Sequence, residues 1–551
     1  MTPQSPARYK AADPVDFLIV GSGAAGAVLA KELSSNGFRV VVLEQGPYIR
    51  PNQFDHDEYA AVHRAALTNN YSRQPNTFRK TSSDTAKIQP LVGYGRLVGG
   101  GPVHFTGNFW RFHEIDFIER SRKGPIAGTG FADWPLTYAD LEPYYTKAEW
   151  ELGVSGLAGA NPFDPPRSKP YPLPPLPIKS SGVLVERGAT KLGWHAFPAP
   201  LAILSKDYRG RSACMHCGFC EAFGCEFGAK SSTLAAMIPL AEATGRCEIR
   251  PDSYVREIEV GDDGRVTGVI YFDREKREQR QRAKAVVVSA NGAETPRLLL
   301  MSASKRFPNG LANGSGLVGK YLMFGPGSIA GGLFEHPLNE FKGVHVSRVI
   351  HDFYEIDPKH GFFGGGGLDG RFDWYPAGFA LGGLDPARPQ WGGEFKRALK
   401  DFPKTMYVLP HQTALALEGN AISLDPAVKD AWGLPALRVT YKDHPDDLKT
   451  AQFLLDRAME LLDAAGATRR WAYPVAETES SVHLLGTCRM GKDAATSVVN
   501  TDHRAHDVPN LFVCDGSSLV TSGRNQPTET IQALAFRAAD RLTALAKRHE
   551  I

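Results

Sequence analysis

Phe17 to Val20 is an unbroken apolar run, followed by a glycine-rich turn and then by an Ala- and Leu-rich stretch. A second apolar run, Arg39 to Leu43, closes on Glu44. Short continuous apolar runs fit parallel strands buried on both faces, so the pattern predicts strand, turn, helix, strand. Near the other end, "NLFVC" reads as an apolar strand. The apolar positions of "PTETIQALAFRAADRLTALA" recur with helical spacing, with Pro527 and Thr528 opening the helix. "PDDLKTAQFLLDRAMELLDAAG" predicts another helix, with an acidic first turn and Gly466 near its end. "ISLDP" and "LPALRVTYKDH" predict paired strands. The proline-rich stretch Asn161 to Ser180 reads as an extended covering loop. Gly361 to Gly383 mixes glycine with aromatics, which serve either as stacking faces for a ring or as core and turns. The chain shows no internal repeat, heptad pattern or low-complexity tract.

The first turn carries chemistry. Gly21, Gly23 and Gly26 form G-x-G-x-x-G between a strand and a helix, with Glu44 at the end of the next strand. Gly21 permits the tight turn, Gly23 lets a pyrophosphate reach the backbone, and Gly26 lets helix and strand pack closely. The helix start offers free N–H groups to phosphate. Glu44 is placed to accept hydrogen bonds from a ribose diol. This combination predicts dinucleotide binding, and both FAD and NAD use it. "GYGRLVGGGPVHFTGNFWRF" (Gly93 to Phe112) has the composition expected of a loop against a flat isoalloxazine ring.

Length and charge narrow the class. With 551 residues the chain can bury a large core in two joined domains. Its 63 basic and 60 acidic side chains leave a formal net charge of +3, which argues against nucleic acid or an anionic membrane as partner. No run is apolar and long enough to span a bilayer. The N-terminal stretch lacks an apolar segment of the secretory type, so no leader is expected. Cys247, Cys488 and Cys514 lie far apart beside apolar or small residues and read as buried thiols.

Nearly end to end, the sequence resembles the glucose–methanol–choline (GMC) oxidoreductases. The resemblance rests on "GSGAAG" with Glu44, "GRLVGGGPVHFTGNF", "SANGAETPRLLLMSAS", "NAISLDP", "HLLGTCRMG" and "NLFVCDGSSLVTSGRNQPTETIQALAFRAADRL". It implies an α/β fold: a Rossmann-like FAD-binding domain joined to an α+β substrate domain built on an antiparallel sheet. The FAD-binding domain is expected over 1–115, 205–325 and 480–551, with a cysteine-rich loop at 211–231. The substrate domain and covering loops are expected over 116–204 and 326–479. The resemblance implies FAD contacts at Gly21, Gly23, Ala25, Gly26, Glu44, Gly100, His104, Thr106, Val255, Asp515, Gly516, Pro527 and Thr528. His483 stands where the family has its catalytic histidine, suited to take a hydroxyl proton near neutral pH. Asn525 occupies or adjoins the partner position, with an offset of one residue, because the shorter family pattern puts the asparagine directly before Pro-Thr. In some relatives a histidine placed like His104 is bonded covalently to the flavin.

Four cysteines stand within twelve residues: Cys214, Cys217, Cys220 and Cys225, spaced C-x2-C-x2-C-x4-C. The spacing is close to a bacterial ferredoxin run and unlike the paired knuckles of a zinc site, although zinc, disulfides or free thiols stay open. Gly218 and Gly224 would let the backbone approach a cluster, and Phe219 and Phe223 would shield it. The resemblance implies a subgroup of bacterial sugar and glucoside dehydrogenases in which an iron–sulfur cluster, three-iron (3Fe-4S) rather than four-iron (4Fe-4S), drains the reduced flavin to a cytochrome or another acceptor. That gives an FAD-dependent dehydrogenase for a sugar, glycoside or polyol. An oxygen-using oxidase and a non-catalytic flavin electron-transfer subunit are the alternatives. Related subunits are exported with a small signal-bearing partner, which implies a periplasmic complex; a cytoplasmic enzyme is the other expectation.

Overall fold

In the computed structural model, which describes residues 8–524 and 526–551, the chain forms three sheets. The first arises where the apolar runs predict buried strands. Val15–Val20 pairs in parallel with Val40–Leu43 on one side and with Glu278–Val288 on the other. Cys247–Arg250 adds a parallel strand beyond Val40–Leu43, and Leu511–Val513 runs parallel to Val286–Val288. The hairpin Tyr254–Val260 and Val266–Phe272 continues the sheet antiparallel to the first half of Glu278–Val288. The sheet is therefore mixed. Its parallel centre is buried on both faces, as crossover helices require. On one face Val28, Leu29 and Leu33 of helix Gly26–Ser35 pack with Ala535, Phe536 and Leu542 of helix Thr528–Lys547. On the other, Leu18, Val41, Val286 and Val288 meet Tyr145 and Trp134.

The second sheet is antiparallel, in the order Arg469–Tyr473, Ile329–Leu333, Thr405–Gln412, Gly366–Arg371, Val346–Ile350 and Ala196–Pro198. Helices Ser180–Leu192 and Pro445–Ala465 cover one face, where Leu454, Leu461 and Leu462 pack on Met406, Val408, Leu368 and Ile350. Side chains alternate along a strand, so Leu409 and Arg371 take the opposite face, toward the first sheet's loops, and line the main cavity. The predicted helix is Pro445–Ala465. His444 accepts from Asp446 N at its start, and Gly466 ends it in the left-handed region at φ 94°.

The predicted strand pair is Ala421–Lys429 against Pro435–Thr440. Asn76–Arg79 joins it in parallel to form a third sheet. Cys247, Cys488 and Cys514 are buried. Among the described residues no helix is long and apolar enough to cross a membrane.

Candidate active site

The glycine turn builds the floor of a cavity of about 470 Å³. Gly21 sits at φ +95°, and a Cβ there would stand 2.4 Å from the Ser289 carbonyl oxygen. Gly21, Gly23, Ala25 and Glu44 line the cavity. Gly26 lies behind it, where a Cβ would come within 2.0 Å of the Gly21 oxygen, so its role is packing. Gly100, at φ +59°, closes over the turn so tightly that a Cβ would lie 2.7 Å from Gly23 Cα. Glu44 is fixed at the cavity wall: Oε2 accepts from Ser22 N at 3.1 Å and from Ser22 Oγ at 2.8 Å, and Oε1 accepts from Gly46 N at 3.0 Å. Burial raises its pKa.

Three helices point their N-termini at this space. Ala25 caps Gly26–Ser35, Ala290 caps Asn291–Met301 and Pro527 caps Thr528–Lys547, and all three caps line the cavity without a side-chain capping bond. The positive ends of the helix dipoles favour an anion there, although at the start of Asn291–Met301 the N–H groups of Asn291, Ala293 and Glu294 already donate to Asp515 and to the Asn291 side chain. Asp515 ties the start of Asn291–Met301 to the turn that follows strand Leu511–Val513. Its Oδ2 accepts from Asn291 N at 2.9 Å and Thr295 Oγ1 at 2.5 Å, and its Oδ1 from Ser517 N at 2.8 Å.

Of the sequence-predicted residues, Gly100, His104, Thr106, Val255, His483, Asp515, Gly516, Pro527 and Thr528 also line the cavity. Asn525 lies outside the described residues. Gln526, directly before Pro527, lines the cavity. His483 is held by its backbone, its amide donating to Ser481 Oγ at 3.0 Å. His104 is half-buried, and its Nε2 is shielded from solvent with no hydrogen-bond partner among the described residues. Burial, with the nearby Lys230 charge, lowers its pKa to about 4. Asn108 is 5% exposed and lines the same space, with its Oδ1 unpartnered among the described residues. The sequence reading passed over Asn108, although a polar residue inside "FTGNFW" is a signal. The glycine cradle, the uncapped helix starts, the fixed acid and these two orphaned polar atoms fit FAD.

The far wall carries two ionisable side chains that no sequence pattern points to. Glu221 and Arg371 both face the cavity. Arg371 is held by Asp369, through Nε–Oδ1 at 2.6 Å and Nη2–Oδ2 at 2.7 Å, and by Asp373 at 3.2 Å. Burial raises the Glu221 carboxyl, and the neighbouring Asp373 charge adds to the shift.

The cysteine loop abuts the flavin-side loop. Ala222 N donates to His104 O at 2.8 Å. Cys220 is buried, Cys214 and Cys225 are half-buried and Cys217 is exposed. Burial pushes the Cys214 thiol up to about 11 and the Cys220 thiol up to about 12; at Cys220 the nearby Lys230 charge opposes the rise and the other three cysteines add to it. Among the described residues no three His, Cys, Asp or Glu side chains are grouped so as to hold a metal ion. The expected ligand set is thus not assembled. His216 and Gly218, at φ 55° and 89°, turn the backbone on either side of Cys217, which leaves that thiol outside while Cys220 is inside. The donor chemistry, four thiols on one loop, still suits a soft metal cluster. The two glycines serve chain-to-chain contacts instead: a Cβ on Gly218 would stand 2.0 Å from Phe341 O, and one on Gly224 2.2 Å from the Phe54 ring. Phe219 stacks on His56 at 4.1 Å and on Tyr375 at 5.5 Å, and Phe223 meets Tyr375 edge-on.

The family description "GMC oxidoreductase" matches residues 15–337 and again 417–535. The chain is 36% identical to 2-methyl-1,2-propanediol dehydrogenase of Mycolicibacterium austroafricanum, covering 96% of this chain and 95% of that one. It is 30% identical to the fructose dehydrogenase large subunit of Gluconobacter japonicus, covering 95% and 97%. Among solved structures, formate oxidase of Aspergillus oryzae superposes with a TM-score of 0.65 at 16% identity, over 98% of this chain and 100% of that one, a likeness of fold.

Proposed function

Since the chain belongs to the GMC oxidoreductase family, we propose that it is an FAD-dependent dehydrogenase that oxidises a hydroxyl of a sugar, glycoside or polyol. The observation that carries this reading is one cavity lined together by a dinucleotide cradle, by His483 and by the polar pair Glu221 and Arg371. Bound FAD would supply the acceptor for the hydride that an alcohol carbon must lose. Gly21, Gly23, Gly100, Glu44 and the three helix starts would hold the dinucleotide. His483 would take the hydroxyl proton, with Asn525 as its partner on the substrate oxygen. Glu221 and Arg371 offer an acceptor and donors to further hydroxyls, which suits a substrate with more than one. The names of the relatives, a diol and a sugar dehydrogenase, favour the same class.

The finer parts of the reading have separate support. The unpartnered Nε2 of neutral His104 favours a covalent flavin link at that atom. The spacing of Cys214, Cys217, Cys220 and Cys225, on a loop bonded to His104 O, favours an iron–sulfur cluster of the three-iron kind as the electron exit. A cytochrome acceptor, a small signal-bearing subunit and a periplasmic location extend that reading. Anaerobic bleaching of the flavin by a panel of sugars, glycosides and diols tests the enzyme, and turnover with oxygen against a one-electron dye tests the exit. Fast peroxide formation with slow dye reduction makes it an oxidase. No bleaching by any hydroxyl compound removes the reading altogether. Iron analysis and electron paramagnetic resonance of anaerobically purified protein test the cluster.

A further inference from the structure

Lys230 is 1% exposed, yet among the described residues no carboxylate lies within ion-pair distance of it; Glu221 acts on it only from farther away. Its ammonium is instead enclosed by backbone. Nζ donates to Phe105 O at 3.1 Å, to Phe223 O at 2.8 Å and to Cys220 O. An ammonium has three donors, and all three are used. The backbone of the same residue reaches the loop's other end, with Lys230 N lying 3.5 Å from Cys225 Sγ. Ala222, at φ 64°, reverses the chain between Cys220 and Phe223, and both carbonyls meet the one cation.

The arrangement spans two loops. Cys220 and Phe223 belong to the cysteine loop, whereas Phe105 follows His104 in the loop that covers the cavity. Ala222 N to His104 O is the parallel backbone link. Burying a charge without an opposite charge is costly, and a methionine of similar length would fill the space without that cost. Mere packing therefore does not account for a lysine here, whereas three convergent carbonyls that only a cation can bridge do.

We propose that Lys230 is a clamp that fixes the cysteine loop against the flavin-side loop, a positioning residue for electron exit from the cavity. The proposal rests on reading the cysteine loop as that exit. It concerns where the loop is held; the chemistry of the hydroxyl centre is left to His483.

The test compares wild type, Lys230→Met and Lys230→Arg as full-length, FAD-loaded protein. After chelator treatment, iodoacetamide labelling of each cysteine is followed by peptide mass spectrometry. A released loop exposes Cys220 and Cys225, so in Lys230→Met their labelling accelerates by about 10-fold or more. Cys488, buried in the core of the flavin side, keeps its wild-type rate and reports on global unfolding. Lys230→Arg, which keeps the charge and several donors, recovers much of the protection. In single turnover, substrate reduces the flavin of Lys230→Met at the wild-type rate. Steady-state reduction of a one-electron dye falls by about 10-fold or more, because a displaced loop misplaces the exit. Unchanged Cys220 labelling, or Cys488 labelling that rises in step, overturns the clamp. A wild-type protein that never reduces the dye defeats the electron-exit reading instead, and the labelling ratio still decides whether Lys230 holds the loop.

Discussion

Arg524 Nη1 lies 2.6 Å from Asp116 Oδ1 and 2.7 Å from Glu119 Oε1, with all three side chains buried. Arg524 Nε donates to Tyr354 O at 2.9 Å, and Tyr354 OH donates to Asp116 Oδ2 at 2.5 Å. The turn that leads to Gln526 and Pro527 is thus anchored on helix Glu114–Lys123 by a buried ionic cluster. Burial raises Asp116 and Glu119, and the Arg524 guanidinium counters that rise.

Replacing Arg524 by methionine leaves two buried carboxyls without their cation. The expected cost is about 3–5 kcal/mol, read as a lower midpoint in urea denaturation. The same variant shows weaker flavin retention, because the start of the last helix loses its anchor. A midpoint equal to wild type contradicts the anchoring role.

His483→Ala removes the proposed proton acceptor and leaves the glycine cradle intact. Flavin content stays at the wild-type level, while anaerobic flavin reduction by substrate slows by about 10²–10⁴-fold. Stopped-flow absorbance of the flavin band measures both. Reduction at the wild-type rate assigns the base elsewhere.

Gly100→Ala places a Cβ 2.7 Å from Gly23 Cα, on a backbone with φ 59° and ψ −153°. That conformation is open essentially to glycine alone, and forcing it costs about 1–3 kcal/mol. The variant is expected to purify with a reduced flavin-to-protein absorbance ratio. A full complement of FAD would show that the two loops can part without harm.

His503 is buried, its Nδ1 donating to Val513 O at 2.9 Å, and burial lowers its pKa from 6.5 to about 4. The denatured chain takes up this proton as pH falls through 6.5, and the folded chain refuses it until about pH 4. Its contribution is therefore complete above pH 6.5 and is lost toward pH 4, by about 1.4 kcal/mol per pH unit. Buried carboxyls such as Glu119 act in the opposite sense, so the useful comparison is with His503→Asn. Asparagine tolerates the left-handed φ of 61° at this position. Wild type should lose stability relative to the variant across that window, and a constant difference between the two contradicts the assignment.

The glycine turn, Glu44 and the last helix were legible because their roles are local. A strand, a G-x-G-x-x-G turn and a helix start lie within one short stretch, and Gly21 and Gly26 stand where a Cβ would strike backbone. The place of His483 on the cavity wall was legible through motif resemblance and not through its own periodicity. Lys230, Glu221 and Arg371 were not legible. Each acquires its role from partners brought together by the second sheet or by loop reversals, such as Glu221 beside Asp373, and sequence spacing does not carry that information. The cysteine spacing suggested a ligand set, but the left-handed turns flanking Cys217 depend on contacts with Phe341 that no pattern shows.

Leu511–Val513 completes the first sheet by lying against Val286–Val288, and helix Thr528–Lys547 then covers it. During synthesis, the cofactor-binding half therefore cannot close until more than two hundred further residues have emerged from the ribosome. Until then Val286–Val288 offers an unpaired apolar edge to the cell. Capture of the dinucleotide is accordingly an event at the end of translation, and nascent chains stalled in the second half of the message are the ones most exposed to aggregation.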